Sequence, residues 1–524
     1  MKKKKNAAVL WLNGIILIFL GAFFIKNINL AKQPVMNLVK KQSTFAEFTT
    51  EIKEVYTSDG FSMKNMFINI NGLFARITGQ RVCNEVVRME NGMLTTTEVK
   101  KDMQKQAKAI QELDTYLAQE NIPFLYVQAP YKEDPESKLL PKGVVSYAQT
   151  NANELLDYME EMQINTLDLV PYLSAAEELI EKYYYKTDHH WNYTGAFVAF
   201  QQICQRISAM FPEESIDLSY TDFSKWNSDT LEKWFLGSRG KRVGTWFAGT
   251  DDFTWYTPKF ETKMSCAIPK NRQLYFGNFA EANMRQHYLE EKDYFGDSTY
   301  VMYVGGDYPI VQHRNHKPVS RLKVLIIKDS YATPVQVYMS TVFKEVDVID
   351  PRHLQECTVA EYVARTEPDL VMLLINPSSI GTRHYLDFGV EEVMVQGVCS
   401  ENALWEKDIL VEASDTNNYH YEAVPVEYGK TYTVSFEDVS FIQGEAAGVV
   451  TALYNRTAKT IEAVGVYDLE FSRQKQEFCW SFSTPASGKD EMVLVFYAGM
   501  PGATKQKSVQ YQNVTLYEWE SRAR

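Results

Sequence analysis

From Thr97 to Ile375 the chain alternates polar segments of helical length with short, solid apolar runs. A long polar helix is expected over Thr97 to Gln119, feeding a strand at Phe124-Leu125-Tyr126-Val127 that ends at Ala129-Pro130-Tyr131-Lys132. A helix from Asn153 to Met162 precedes a strand at Ile164 to Leu169. Further strands are expected at Val324-Leu325-Ile326-Ile327, Val346 to Ile349 and Leu370 to Ile375. Helices interleaved with buried strands predict β-α units and a parallel sheet. In open sheets of that kind ligands bind outside the carboxyl ends of the strands, which gathers Lys132, Ser330 and Asn376 at one edge.

Two stretches break this pattern. Residues 212–318 form an insertion rich in Trp, Tyr and Gly, including Trp226, Trp234, Trp246 and Trp255 and the run Gly237-Ser238-Arg239-Gly240-Lys241-Arg242-Val243-Gly244. Flat rings beside cations suit sugar faces and hydroxyls, so Arg242 is a candidate substrate ligand; burial in a core is the alternative for the aromatic residues. Beyond Cys399 come eight short segments separated by turn signals such as Tyr428-Gly429-Lys430 and Ser487-Gly488-Lys489. That spacing predicts an antiparallel β-sandwich or jelly roll.

The N-terminus suggests where the chain works. Lys2 to Lys5 precede Ala7 to Ile25, a run almost wholly apolar and long enough to cross the hydrocarbon core. The lysines should stay cytoplasmic, leaving the bulk of the chain outside the cell. A cleaved signal peptide is the alternative, but no small-x-small site follows Phe23-Phe24-Ile25-Lys26. The expected organisation is therefore an anchor at 1–30, a linker at 31–60, an α/β domain at 61–399 and a sandwich at 400–524. A net charge of −13 over 524 residues argues against a nucleic-acid partner. Six scattered cysteines without a C-x-x-C pair indicate neither a zinc site nor a redox motif.

The chemistry lies in two short islands, Asp188-His189-His190-Trp191-Asn192 and Lys328-Asp329-Ser330-Tyr331. Ser330 follows a buried strand and precedes the helix-forming run Ala332 to Met339, the position of a nucleophile elbow. Amide groups of Ser330 and Tyr331 there, with the side chain of Asn376, are candidates to hold an oxyanion. The alternative reading of Ser330 is a helix cap, and that of Asn376 is to cap the following turn. In extended backbone residues i and i+2 point the same way, so Asp188 would flank His190 and fix its tautomer, leaving His189 facing elsewhere. Asn192 or Thr194 should cap a helix carrying Ala196, Phe197, Phe200, Ile203, Cys204 and Ile207. A binuclear metal site also uses Asp-His-His, but no further set of spaced acidic and histidine ligands accompanies it, so neither metal nor cofactor is expected.

On these residues the chain resembles the DHHW-motif proteins, Gram-positive relatives of the alginate O-acetyltransferase branch of the SGNH hydrolase superfamily. In that branch a D-x-H-W element comes early and a G-D-S-F/Y element late. Asp188, His190 and Trp191 match the first and Asp329-Ser330-Tyr331 the second, with Lys328 where the family often has glycine. The resemblance implies an SGNH-like sheet flanked by helices, with Asp188, His190 and Ser330 as a triad; Lys132, from its place past a strand end, and Trp191 are candidate substrate-binding residues. The C-terminal segment resembles carbohydrate-binding modules in its Gly-Lys-Thr-Tyr-Thr-Val-Ser-Phe strand and late tryptophan. Three functions follow from this reading: an extracytoplasmic O-acetyltransferase acting on a cell-wall or secreted polysaccharide, an esterase with the same triad, or a non-catalytic glycan-binding protein. For a transferase the resemblance implies a membrane-bound O-acyltransferase partner as acyl donor.

Overall fold

The structure, a computed structural model, describes residues 30–520 apart from 31, 41–43, 45–46, 48, 52–53, 55–62, 134–138, 377, 382–385, 391–397, 413–417 and 502–506. The expected anchor therefore lies outside the described residues, as does much of the expected linker. Among the described residues no helix is long and apolar enough to cross a membrane.

The main sheet has eight strands: β1 (Phe124–Gln128), β2 (Thr166–Asp168), β3 (Met264–Ile268), β4 (Gln273–Gly277), β5 (Ile310–Asn315), β6 (Ser320–Lys328), β7 (Phe343–Ile349) and β8 (Leu370–Ile375). Their spatial order is β2-β1-β8-β6-β7-β5-β3-β4. The first five are parallel, and the last three continue the sheet antiparallel. The layers follow from the two-residue period of a strand. Val324 and Ile326 of β6 join the core shared with the helix Tyr193–Met210. Leu325 and Ile327 face the opposite core, built with helices Gln104–Gln119, Ala148–Glu161 and Val359–Thr366. Covering both faces is why these strands are solid apolar runs, and each fully buried Val, Leu or Ile contributes about 1.5–3 kcal/mol.

The insertion at 212–318 interrupts the helix-strand pattern but not the sheet. It supplies β3, β4 and β5 together with a separate hairpin of Trp226–Phe235 and Asp251–Pro258. Trp226 is core, whereas Trp246 is exposed.

The C-terminal region is two antiparallel sheets. One runs Val398–Val411, Ser508–Glu520, Thr431–Ser435, Cys479–Ser483, with Asp438–Gln443 also paired to Ser508–Glu520. The other runs Tyr419–Ala423, Met492–Tyr497, Gly448–Asn455, Thr460–Asp468. Val434, Leu453, Leu494, Phe496 and Leu516 fill the space between them. The strand Asp438–Gln443 goes beyond the eight expected segments. Polar contacts join this region to the main sheet, including a hydrogen bond between His316 and Asp468 at 2.8 Å and an ion pair of Lys475 with Glu345 at 2.9 Å.

Candidate active site

Ser330 stands immediately past the carboxyl end of β6, at the start of a tight turn, Ser330–Ala332, that leads into the helix Thr333–Met339. Pro334 near the first turn of that helix suits its fixed φ. Asp329 organises the turn from below. One of its carboxylate oxygens accepts from the Tyr331 amide at 2.9 Å; the other accepts from the Asn376 amide and the Ser379 hydroxyl, each at 2.9 Å. Burial raises the Asp329 carboxyl pKa, and these hydrogen bonds oppose the rise.

Lys328 puts no strain on the turn because it is the last residue of the strand. Its ammonium is buried, 2.6 Å from Asp307 and 3.4 Å from the Thr333 hydroxyl. Arg352 completes that ion cluster by bridging Asp307 and Asp350.

The first island is held from several sides. Asp251 accepts from the amides of Lys186 and Thr187 at 2.6 and 2.9 Å. The Lys132 ammonium donates to the carbonyls of Leu94, Tyr185 and Asp188. The Asn192 side chain caps the helix Tyr193–Met210 by accepting from the Gly195 amide at 2.9 Å.

The backbone at Asp188–His190 is a bend rather than the extended stretch expected, yet the predicted pair forms. Asp188 Oδ1 accepts from His190 Nδ1 at 2.5 Å and from the His190 amide at 3.0 Å. Asp188 Oδ2 accepts from the Ser238 amide at 2.5 Å. The close approach of that segment requires Gly237, because a Cβ there would fall 2.2 Å from the Asp188 Cβ. Burial works to raise the Asp188 carboxyl pKa, but the charges of His189 and His190 and the His190 hydrogen bonds hold it well below the usual carboxylate range.

His190 Nε2 lies 2.7 Å from Ser330 Oγ, so one imidazole joins the carboxylate to the hydroxyl. The ring stacks on Tyr300 at 3.9 Å between centroids, which fixes its plane. His189 is the spare histidine, its Nδ1 2.9 Å from the Ser238 hydroxyl.

Among the described residues the one group of side chains close enough to share a metal ion is Asp188, His189 and His190. Both nitrogens of His190 are already committed, to Asp188 and to Ser330. Asp188 and His190 are arranged, with Ser330, as a hydrogen-bonded relay that leaves His189 to one side.

Of the oxyanion candidates, the Tyr331 amide is spent on Asp329. Asn376 accepts through its side-chain oxygen from Ser378 at 2.8 and 2.9 Å. Among the described residues the Ser330 amide and the Asn376 side-chain nitrogen make no hydrogen bond and are the donors left over.

The expected substrate contacts need correction. Lys132 and Trp191 are 1% and 0% exposed, so neither reaches a ligand. Lys132 points inward because three carbonyls in its own wall satisfy its donors, and Trp191 because its indole donates to the Tyr331 carbonyl. Arg242 turns to Glu85 at 2.6 Å on the surface. From the same run it is Arg239 that reaches inward, to Tyr131 Oη at 3.0 Å and Thr96 Oγ1 at 3.1 Å. Tyr300, Ser238 and Asp251 were not foreseen as site residues, and no composition signal points to them.

Residues 89–230 match the family model described as the SGNH hydrolase-like domain of acetyltransferase AlgX, a span that includes Asp188–Trp191 but not Ser330. Among solved structures the chain is similar to PatB1 of Bacillus cereus, with 22% identity, 58% of this chain and 99% of that one covered, and a TM-score of 0.48. It is similar also to a DHHW family protein from Eubacterium siraeum, with 20% identity, coverage of 59% and 96%, and a TM-score of 0.43. For AlgX of Pseudomonas aeruginosa the identity is 13%, the coverage 83% and 94%, and the TM-score 0.36. No curated protein sequence matches the chain.

Proposed function

We propose that this chain is an extracytoplasmic, membrane-anchored serine acyltransferase that O-acetylates a cell-wall or secreted polysaccharide. The observation that carries the reading is the line from Asp188 through His190 to Ser330, with hydrogen bonds of 2.5 and 2.7 Å. A buried carboxylate, an imidazole with a fixed tautomer and a hydroxyl at the head of a helix form the constellation that acyl transfer needs. The match of residues 89–230 to an acetyltransferase family supports acetyl as the group carried.

In this reading Ser330 Oγ attacks the acyl carbonyl carbon while His190 Nε2 takes the hydroxyl proton. Asp188 stabilises the imidazolium, and the Ser330 amide with the Asn376 side-chain nitrogen holds the oxyanion. Collapse expels the donor oxygen, which takes the proton from His190 and leaves acetyl on Ser330. A sugar hydroxyl then attacks the ester as His190 accepts its proton, and collapse returns that proton to Ser330. Donor acetyl groups come from a membrane-bound O-acyltransferase, and the apolar run Ala7 to Ile25 keeps the two proteins in one membrane. The sandwich serves as a glycan-binding module.

The test is acetyl-ester turnover by the purified protein, with and without a glycan acceptor, in the wild type and in Ser330→Ala, His190→Ala, Asp188→Asn and His189→Ala. The first two should lose turnover by several orders of magnitude, and Asp188→Asn by roughly three to four. His189→Ala should be much milder. Turnover that survives Ser330→Ala sinks the nucleophile, while release of free acetate with no transfer to any acceptor converts the reading to an esterase.

A further inference from the structure

The helix Lys64–Ile77 buries its small residues and leaves large ones outside. Gly72 packs against the Val243 carbonyl, and Asn69 Oδ1 accepts from the Thr245 amide at 2.7 Å. On the outer side Phe74 and Ile77 are 65% and 72% exposed, and the nearby Trp246 is 48% exposed. Arg76, on the same turn, donates to the Trp246 carbonyl at 3.2 Å.

Cations gather beside this apolar face. Arg88 and Lys186 flank Gly92: a Cβ on that glycine would lie 3.2 Å from an Arg88 Nη and 3.8 Å from Lys186 Cε. Burial lowers the pKa of both groups, and neighbouring positive charge, including that of Arg76, lowers it further. The acids nearby are occupied elsewhere, Glu90 with Arg81 at 2.8 Å and Asp251 with backbone amides. Among the described residues neither the Arg88 guanidinium nor the Lys186 ammonium has a hydrogen-bond or ion-pair partner, and Arg88 Nε is buried. This is a local exception in a chain of net charge −13.

Half-buried, unpaired cations call for an anion, and large apolar side chains exposed on the adjoining helix call for cover. A soluble anionic glycan would answer only the first demand. An anionic lipid answers both, with phosphate for the cations and acyl chain for the rings. The apolar run Ala7 to Ile25 upstream of the helix is independent reason to expect a bilayer close by.

We propose that Phe74, Ile77, Trp246, Arg76, Arg88 and Lys186 form a docking surface for an anionic lipid bilayer, with Arg88 and Lys186 on a headgroup phosphate. The proposal rests on the extracytoplasmic, membrane-anchored reading. It extends that reading by giving the enzyme a fixed orientation. The helix holds Thr245 of the segment Ser238–Ala248, and the Ser238 amide of that segment holds Asp188, so one short segment connects the docked helix to Asp188.

The full chain reconstituted in vesicles of phosphatidylglycerol and phosphatidylcholine, carrying a photoactivatable lipid, tests this by mapping adducts. Adducts are expected on Phe74, Ile77 and Trp246 as well as within residues 7–25. Those on the helix should fall at least fivefold in Arg88→Ala/Lys186→Ala, and likewise in vesicles of phosphatidylcholine alone. Adducts confined to residues 7–25 would overturn the docking surface and leave the anchor standing, whereas adducts on neither would overturn both. If the double variant loses binding of soluble polyphosphate while its lipid adducts persist, the cations serve a soluble polyanion and the lipid assignment fails.

Discussion

Trp191 and Tyr331 are linked across the two halves of the site by one hydrogen bond and by their rings. The Trp191 indole donates to the Tyr331 carbonyl at 3.0 Å, and the Tyr331 phenol donates to the His189 carbonyl at 2.5 Å. The rings themselves meet at 5.0 Å between centroids. The pair ties the turn that carries His190 to the turn that carries Ser330, so the 2.7 Å contact between them does not depend on either loop alone.

Trp191→Phe keeps most of the buried ring but removes the shorter of two hydrogen bonds to the Tyr331 carbonyl, the other coming from the Tyr300 hydroxyl at 3.4 Å, whereas Tyr331→Phe strands the carbonyl of His189. Tyr331→Phe should cost about 1–3 kcal/mol of stability, since a buried acceptor is left without its partner, and Trp191→Phe less. In each, kcat for acetyl-ester turnover should fall several-fold with KM little changed, because the reacting groups are misaligned rather than substrate lost. Urea unfolding and steady-state kinetics check the two effects separately, and an unchanged kcat in both variants would show that these hydrogen bonds do not position His190 against Ser330.

Gly237 is the point at which a methyl group should disable the acid. A Cβ there meets Asp188 Cβ at 2.2 Å and Oδ2 at 2.4 Å, so the carboxylate or the segment carrying Ser238 must move. Gly237→Ala should cost about 1–3 kcal/mol in folding and a larger fraction of kcat. Ser238→Ala is the control: the contact to Asp188 comes from the backbone amide, which alanine keeps. Comparable loss of turnover in the two variants would show that the Ser238 hydroxyl, not the glycine, is what the site requires.

The parts of this site legible in the sequence are those written in local pattern. Ser330 follows four apolar residues and precedes a helix with proline in its first turn, which marks a strand handing over to a helix. His190 could be paired with Asp188 from their spacing, although the backbone that joins them is a bend. What escaped is chemistry carried by backbone groups and by shape. Ser238 acts through its amide, Tyr300 through the plane of its ring, and Gly237 through having no side chain. Lys132 was expected near the substrate because it follows a strand end, and it does sit there. The direction of its ammonium depends on three carbonyls from distant segments, which no local pattern encodes. In the same way β3, Met264–Ile268, has all five residues buried yet only two large apolar side chains, so it lacked the apolar signature of the parallel strands.

Asp468 joins the sandwich to the main sheet and starts a helix at the same time. It accepts from His316 Nε2 at 2.8 Å and caps Leu469–Lys475 by accepting from the Phe471 amide at 3.1 Å. Asp468→Ala should remove about 0.5–2 kcal/mol for the cap and about 1–3 kcal/mol for the buried imidazole left unpaired. The seam lies away from Ser330, so acetyl-ester turnover at low temperature should stay near wild type while the urea midpoint falls. A lowered kcat at temperatures where the variant is fully folded would mean that the sandwich acts on the catalytic centre.

Asp188 should also shape how stability depends on pH. Its carboxyl is held well below the ordinary range, burial being outweighed by the charges of the two histidines and by the hydrogen bonds from His190. A carboxylate whose pKa is depressed on folding stabilises the fold fully above its unfolded value, about 3.9, and that contribution is lost as pH falls through the folded value. The unfolded chain then binds the proton more readily than the folded one, so stability drops on acidification. Asparagine cannot titrate, so Asp188→Asn should lack this component. The difference in unfolding free energy between wild type and Asp188→Asn, followed from about pH 7 downward, should shrink as pH falls below about 4. Urea titrations of both proteins across that range measure it. A difference that stays constant below about pH 4 would mean that the Asp188 carboxyl is not held low by the histidines, and the electrostatic part of the site would need a different account.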